Sequence, residues 1–337
     1  MHCPAVLLLL LPGGAEAFRI CAFNAQRLTL SKAAREHVMD TFVRILARCD
    51  IMVLQEVVDA SGSAMSLLLR ELNRFDDSGS YSFLSSPSLG RSTYMEKYVY
   101  VYRSHKTQVL DSYVYEDKDD LFAREPFVAQ FTFPSKVLRS LVLVPLHTTP
   151  KAVEEELNAL YDVFLDVSQR WKSRDMILLG DFNADCASLT KKRLGELVLR
   201  TQAGFHWAID DDEDTTVRAS THCAYDRIVL HGDRCQSLLR SAAAFNFPKS
   251  FQLTEEEVRR GGRDGFPGKS LSPGTDALSC RLPPGPQHQR PLPCGSGAEP
   301  GGTQGPASWP GCSVAATPAP PAGPGGLNQP RACCPQM

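Results

Sequence analysis

The run Asp175-Met176-Ile177-Leu178-Leu179-Gly180-Asp181-Phe182-Asn183-Ala184-Asp185 limits the folds open to this chain more than any other stretch. Four consecutive apolar residues predict a buried strand. The strand runs into Gly-Asp-Phe-Asn, so its carboxyl end carries two oxygen-bearing side chains. Asp181 and Asn183 are two apart and in extended backbone point the same way. One offers a charged oxygen and the other a neutral one. Hard cations such as Mg²⁺ take such ligands, and a phosphate oxygen can complete the shell. A strand followed by an Asx turn accounts for the same string without any chemistry. The rest of the chain decides between the two.

A chain of 337 residues allows one large domain or two ordinary ones, and a hydrophobic content of 43% suffices for a sizeable core. The net charge of −2 and a pI near 6.5 argue against a basic face that coats nucleic acid. They leave room for an enzyme that grips a few phosphates locally. Val6 to Leu11 form a short apolar run, and Ala15-Glu16-Ala17 is an A-x-A site. Residues 1–17 therefore read as a secretory signal. The run is too short to span a bilayer, no other anchor is evident, and a secretory-pathway location, lumenal or secreted, would permit disulfides. None of the eleven cysteines shows zinc-finger spacing.

Helix and strand patterns fill residues 18–257. Phe18 to Asn24, Asp50 to Gln55, Tyr81 to Leu84, Tyr98 to Arg103, Thr107 to Glu116, Phe127 to Phe133, Leu138 to His147, Phe205 to Ile209 and Tyr225 to Leu230 read as strands. Val153, Leu157, Leu160, Tyr161, Phe164 and Trp171 mark a long amphipathic helix. Shorter helices are expected over Ala34 to Cys49, Met65 to Phe75 and Leu189 to Leu199. The mixture predicts an α/β sandwich rather than an alternating doubly wound sheet. Beyond residue 257 the character changes: 15 of the 24 glycines and 16 of the 24 prolines lie in residues 261–337. Such a composition predicts a disordered tail over 258–337.

Several strand ends carry polar groups that a packed core would not want: Asn24, Glu56, Glu96, His147, Asp181 with Asn183, and Asp226. Each alone has a structural explanation, such as a turn or a solvated face. Together they are a set of oxygen donors for metal with a histidine that a neighbouring carboxylate could orient.

The peptides FNAQR (23–27), LQEV (54–57), GRSTYMEKY (90–98), REP (124–126), PLHTTP (145–150), GDFNADC (180–186) and THCAYDRIV (221–229) resemble, in order and spacing, the deoxyribonuclease I family. The resemblance covers roughly residues 18–257. It implies a four-layered sandwich of two mixed β-sheets flanked by helices. It also implies a monomeric Mg²⁺- and Ca²⁺-dependent endonuclease that hydrolyses DNA to 5′-phosphate ends. On this resemblance Asn24, Glu56, Asp181 and Asn183 form the metal and phosphate site. His147, oriented by Glu96, is the acid–base residue, and Arg91, Tyr94 and Arg124 contact the DNA backbone. Asp117, Asp120 and Glu125 match a structural Ca²⁺ loop, which an acidic solvated turn would explain nearly as well; Asp214 and Thr216 partly match a second. Cys186 and Cys223 match the family's disulfide.

Two departures stand out. Val58 takes the place of an arginine that reaches the minor groove in the family's best-known member. The family's closing Ser-Asp-His-Tyr-Pro, whose histidine Asp226 would orient as a second base, is absent. After His231 the sequence holds only His288. Val258-Arg259 fits a splice donor read through in frame, which points to a replaced last exon. The final strand that follows the motif is therefore expected to be missing, leaving an open sheet edge. A nuclease relative that binds metal or DNA without cutting, and another phosphoesterase of the same superfamily, remain as other readings. Cys186, Cys223 and GRSTYMEKY favour the deoxyribonuclease branch.

Overall fold

The computed structural model describes residues 17–262 and 278–282, the last five by their backbone. The expected signal, apart from Ala17, and residues 263–277 and 283–337 of the expected tail lie outside these residues. In chain order the elements begin with β1 (Phe18–Leu28), α1 (Leu30–Ala33), α2 (Glu36–Leu46), β2 (Ile51–Val57), α3 (Ser63–Phe75), β3 (Tyr81–Ser85) and β4 (Lys97–Arg103). They continue with β5 (Val109–Val114), β6 (Phe127–Thr132), β7 (Ser140–Pro145), α4 (Val153–Trp171), β8 (Met176–Asp181), α5 (Lys191–Glu196), α6 (Val198–Thr201), β9 (Phe205–Trp207) and β10 (Asp226–His231). The last are α7 (Asp233–Leu238), β11 (Ala242–Ala244), α8 (Phe247–Ser250), α9 (Glu255–Gly262) and β12 (Leu278–Leu282).

The strands form two six-stranded sheets, ordered β11-β12-β1-β2-β4-β3 and β5-β6-β7-β8-β10-β9. Each is mixed: β1 and β2 pair in parallel, as do β7 and β8, and the other ladders are antiparallel. Alternation along the strands builds the layers. Ile20 and Ala22 of β1, Ile51 and Val53 of β2, Leu143 of β7 and Ile177 and Leu179 of β8 meet in one core between the sheets. The intervening residues Cys21, Phe23, Met52 and Leu54 pack instead with Phe42, Ile45 and Leu68 of the α2–α3 layer. On the far side Val142, Val144 and Leu178 pack with Leu157, Leu160 and Val163 of α4. The expected four-layered architecture is present.

The open edge expected beside β1 is not. Residues Leu278–Leu282 pair antiparallel with Phe18–Ala22 on one side and with β11 on the other. The argument from glycine and proline fails because it averages over 77 residues. Thr275 to Leu282 contain neither, so every residue of that window can donate to a ladder. The expected break after residue 257 also falls inside α9.

A chain stopped at Ala277 would expose β1 and β11 along facing edges, whereas one stopped at Leu282 keeps both ladders. Losing even about 2 kcal/mol lowers Tm by roughly 4–8 °C in a domain of this size. The shorter truncation is expected to melt lower by at least that much in a calorimetric comparison. Equal melting temperatures would place residues 278–282 outside the folded unit.

Candidate active site

The alternation that builds the inter-sheet core also builds the site. Asn24, Gln55 and Asp181 carry the inter-sheet parity of β1, β2 and β8. Each follows the last residue that its strand gives to the inter-sheet core, Ala22, Val53 and Leu179 respectively, so they meet at one end of the sandwich, with His147 just beyond β7. Gln55 joins the sheets: its Nε2 donates to Leu146 O at 2.7 Å and its Oε1 accepts from Asp181 N at 2.9 Å. Gly180 is needed there. A Cβ at that position would stand 2.3 Å from Gln55 Nε2 and 2.5 Å from Leu146 O, and its φ is +135°.

Asn24 Nδ2 donates to Glu56 Oε1 at 2.8 Å and to Asp181 Oδ2 at 3.2 Å, placing one amide between carboxylates of the two sheets. Glu56 Oε2 accepts from Arg27 N at 3.0 Å and from the Tyr94 hydroxyl at 3.2 Å. Asn183 N donates to Asp181 Oδ1, and Asn183 Nδ2 donates to Thr148 O. Glu56 and Asn183 both adopt positive φ, +53° and +47°. Strain of this kind persists where surrounding bonds over-determine the backbone.

His147 Nδ1 lies 2.7 Å from Glu96 Oε1, and its Nε2 lies 3.7 Å from Asp181 Oδ2 and 4.0 Å from Glu56 Oε1. With Glu96 ionised, Nδ1 carries the hydrogen and Nε2 faces the carboxylates. Burial and Arg124 work against the imidazolium, yet Glu96 and Asp181 hold its pKa above the ordinary value. Burial likewise opposes ionisation of Glu96, but His147 and then Arg124 keep its carboxyl below the usual range. Asp181 behaves in the opposite sense. Burial, with a smaller contribution from Glu56, pushes it up to about 6 against the attraction of His147. Two close carboxylates, one of them costly to ionise, are what a hard dication would compensate. The donor set fits such an ion.

The structure brings together Asn24, Glu56, Glu96, His147, Asp181 and Asn183, and sets Asp226 directly opposite Asp181 in the β8–β10 ladder. Tyr94 joins them through Glu56. Arg124 turns inward: Nε and Nη2 donate to His147 O at 3.1 and 2.8 Å. Arg91 lies farther out, paired with Asp120 at 3.0 Å. Asp117, Asp120 and Glu125 do not converge as a metal-ligand group; Asp117 instead accepts from Phe122 N at 2.7 Å. Asp214 caps a turn, accepting from Thr216 N at 2.9 Å. Among the described residues Asp185, Cys186 and Cys223 do cluster. The two sulfurs are bonded to each other, however, and offer no thiolate.

The Cys186–Cys223 disulfide is thus present, and a second, Cys21–Cys49, joins β1 to the turn after α2. Sequence reasoning missed the second because its geometry depends on the parallel β1–β2 register. It also missed Gln55 and Tyr98, whose hydroxyl accepts from His147 N at 2.9 Å. A polar residue at inter-sheet parity in a buried strand is the signal that could have found Gln55.

The model of the Endonuclease/Exonuclease/phosphatase family matches residues 21–244. Human Deoxyribonuclease-1-like 1 is 80% identical over 259 residues, covering 77% of this chain and 86% of that protein. Human Deoxyribonuclease gamma is 42% identical over 262 residues, covering 76% and 86%. Among solved structures, an endonuclease/exonuclease/phosphatase family protein from Leptotrichia buccalis C-1013-b superposes with a TM-score of 0.53 at 13% identity. That match covers 79% of this chain and 99% of that one, and it agrees with the fold.

Asp181 gives a pH test in the metal-free protein. A carboxyl whose folded pKa is raised costs stability once ionised, so the cost is present at pH 7.5. It fades as pH falls through about 6 toward the unfolded value of 3.8. D181N is therefore expected to raise the metal-free Tm at pH 7.5, with a gain that vanishes near pH 4, and to remove the Tm increase that Mg²⁺ produces in the parent. A metal-induced increase that survives D181N would detach Asp181 from the ion.

Proposed function

Because the chain belongs to the endonuclease/exonuclease/phosphatase family, we propose that it is a divalent-metal-dependent phosphodiesterase that cuts DNA to 5′-phosphate ends. The observation that carries this reading is the meeting of Glu56, Asp181 and the Glu96-held His147 within 4.0 Å of Nε2. Relatives that share most of their length with this chain are named deoxyribonucleases, and members of this family generally depend on a divalent metal.

Glu56 and Asp181, with Asn183 beside them, would hold Mg²⁺; there the ion supplies charge stabilisation on the phosphate oxygens. Asn24 acts through its amide, which keeps the two carboxylates at a usable separation when no ion is bound. His147 Nε2 carries a proton toward the scissile phosphate, while Glu96 fixes the tautomer and Arg124 fixes the backbone beneath the ring. Two disulfides suit a secretory-pathway chain, and no described helix is long and apolar enough to cross a membrane.

The chemistry of this chain is incomplete in one respect. The histidine that the resemblance places after Glu257 is absent, so the water lacks its second base. General-base loss alone costs roughly 10²–10⁴-fold. The pairing of β12 with β1 removes the companion deficit, an unpaired sheet, so the handicap is chemical.

Plasmid nicking in Mg²⁺ and Ca²⁺ tests both parts. A chimera whose residues after Glu257 are replaced by the family ending should nick, and E56Q in that chimera should lose activity by far more than tenfold, about 1.4 kcal/mol. The natural chain should nick at least about 10²-fold more slowly than the chimera. Equal rates would show that the second base is dispensable here. A chimera unable to nick, or indifferent to E56Q, would sink the nuclease reading.

A further inference from the structure

The basic side chains near the site differ in what holds their polar ends. The Arg91 guanidinium is paired with Asp120, and that of Arg124 is held by His147 O and lies 3.4 Å from Glu96. Lys97 Nζ donates to Asp59 O. Arg27 is different. It is half-buried, its Nε is shielded from solvent with no hydrogen-bond partner, and among the described residues no carboxylate forms an ion pair with its guanidinium. What it does have is Tyr94: the guanidinium carbon sits 5.4 Å from the centroid of that ring, whose hydroxyl donates to Glu56.

The backbone is bent to put it there. Gln26 and Arg27 both adopt left-handed conformations, with φ +48° and +56°, and the β1–β2 register shifts between Asn24 and Leu28. Two successive non-glycine residues in that region are strained. The bulge is held from the site itself: Asn24 Oδ1 accepts from Gln26 N at 2.8 Å, and Glu56 Oε2 accepts from Arg27 N at 3.0 Å. The groups that would hold the cation therefore also aim Arg27.

A half-buried guanidinium without a counterion costs free energy until an anion arrives. Its planar fork, within cation–π range of an aromatic face, suits a phosphate rather than a single point acceptor. We propose that Arg27, set over the Tyr94 ring beside Glu56, is the residue that clamps a backbone phosphate of the substrate strand at this site. The assignment rests on the phosphodiesterase reading above and names the phosphate ligand within it. It shifts that task from Arg124, which the fold commits to His147.

The test measures binding of a labelled short DNA duplex by fluorescence anisotropy across a salt series, using phosphorothioate linkages that resist cutting, with Mg²⁺ present. Each phosphate contact contributes about 0.9 to the slope of log affinity against log salt. R27Q is expected to weaken binding roughly tenfold, the scale of one charge-assisted contact, and to flatten the slope by about 0.9, with a melting temperature of the free protein no lower than the parent's. R27K keeps the charge and loses the fork, so its affinity falls while its slope matches the parent. Should R27Q not fold, the R27K comparison decides alone: affinity equal to the parent, or a flattened slope, overturns the assignment. If the parent binds and R27Q keeps the parent slope, Arg27 is not the clamp and the phosphodiesterase reading stands. A parent that binds no duplex even at low salt overturns both.

Discussion

Asn24 Nδ2 stands between Glu56 Oε1 at 2.8 Å and Asp181 Oδ2 at 3.2 Å, and those carboxylates belong to different sheets. Like charges so placed repel, and burial already pushes Asp181 up to about 6. The fold tolerates them because neutral donors surround them: the Asn24 amide, the Tyr94 hydroxyl and the backbone N–H groups of Arg27 and Asn183. None of these removes net charge. The arrangement is complete as hydrogen bonding and incomplete as electrostatics, which is the condition in which a dication gains most from binding.

That site depends on the two sheets keeping their relative position. Gln55 provides the polar link, since one side chain bonds Leu146 O and Asp181 N across the gap. The apolar core below it, from Ile20 and Val53 to Leu143 and Leu179, supplies the bulk of the hold. β1 is central to both, because it carries Asn24 and lies between β2 and β12. A strand from the far end of the described chain thus lies beside the strand that begins the site. His147 is set by different means: Tyr98 receives its N–H, Arg124 its carbonyl and Glu96 its ring, so the imidazole has little freedom. Rigid positioning of this kind lets a modest acid act at one oxygen.

Much of this was legible in the residues. The apolar run ending in Gly-Asp-Phe-Asn became β8 with Asp181 at its tip. The helical pattern from Val153 to Trp171 became α4, and the strand ends singled out as chemically odd are those that converge. Period-two alternation determines which face of a strand a side chain takes, and that alone sends Asn24, Gln55 and Asp181 to the inter-sheet side. It does not determine what stands across the gap. Whether Arg124 reaches outward or folds under His147, and whether Arg27 finds a carboxylate, depend on the packing of segments distant in sequence. So does the joining of Cys21 to Cys49. β12 shows the same limit from the other side: composition averaged over a long segment hid five residues able to form a ladder, and only available neighbours, β1 and β11, made them a strand. The sequence by itself determined the layers, the strand ends and the kinds of side chain at the site. The tertiary structure decided which of those side chains neutralise one another and which are left for a ligand, because charge compensation is a property of distances between chain segments and not of their order.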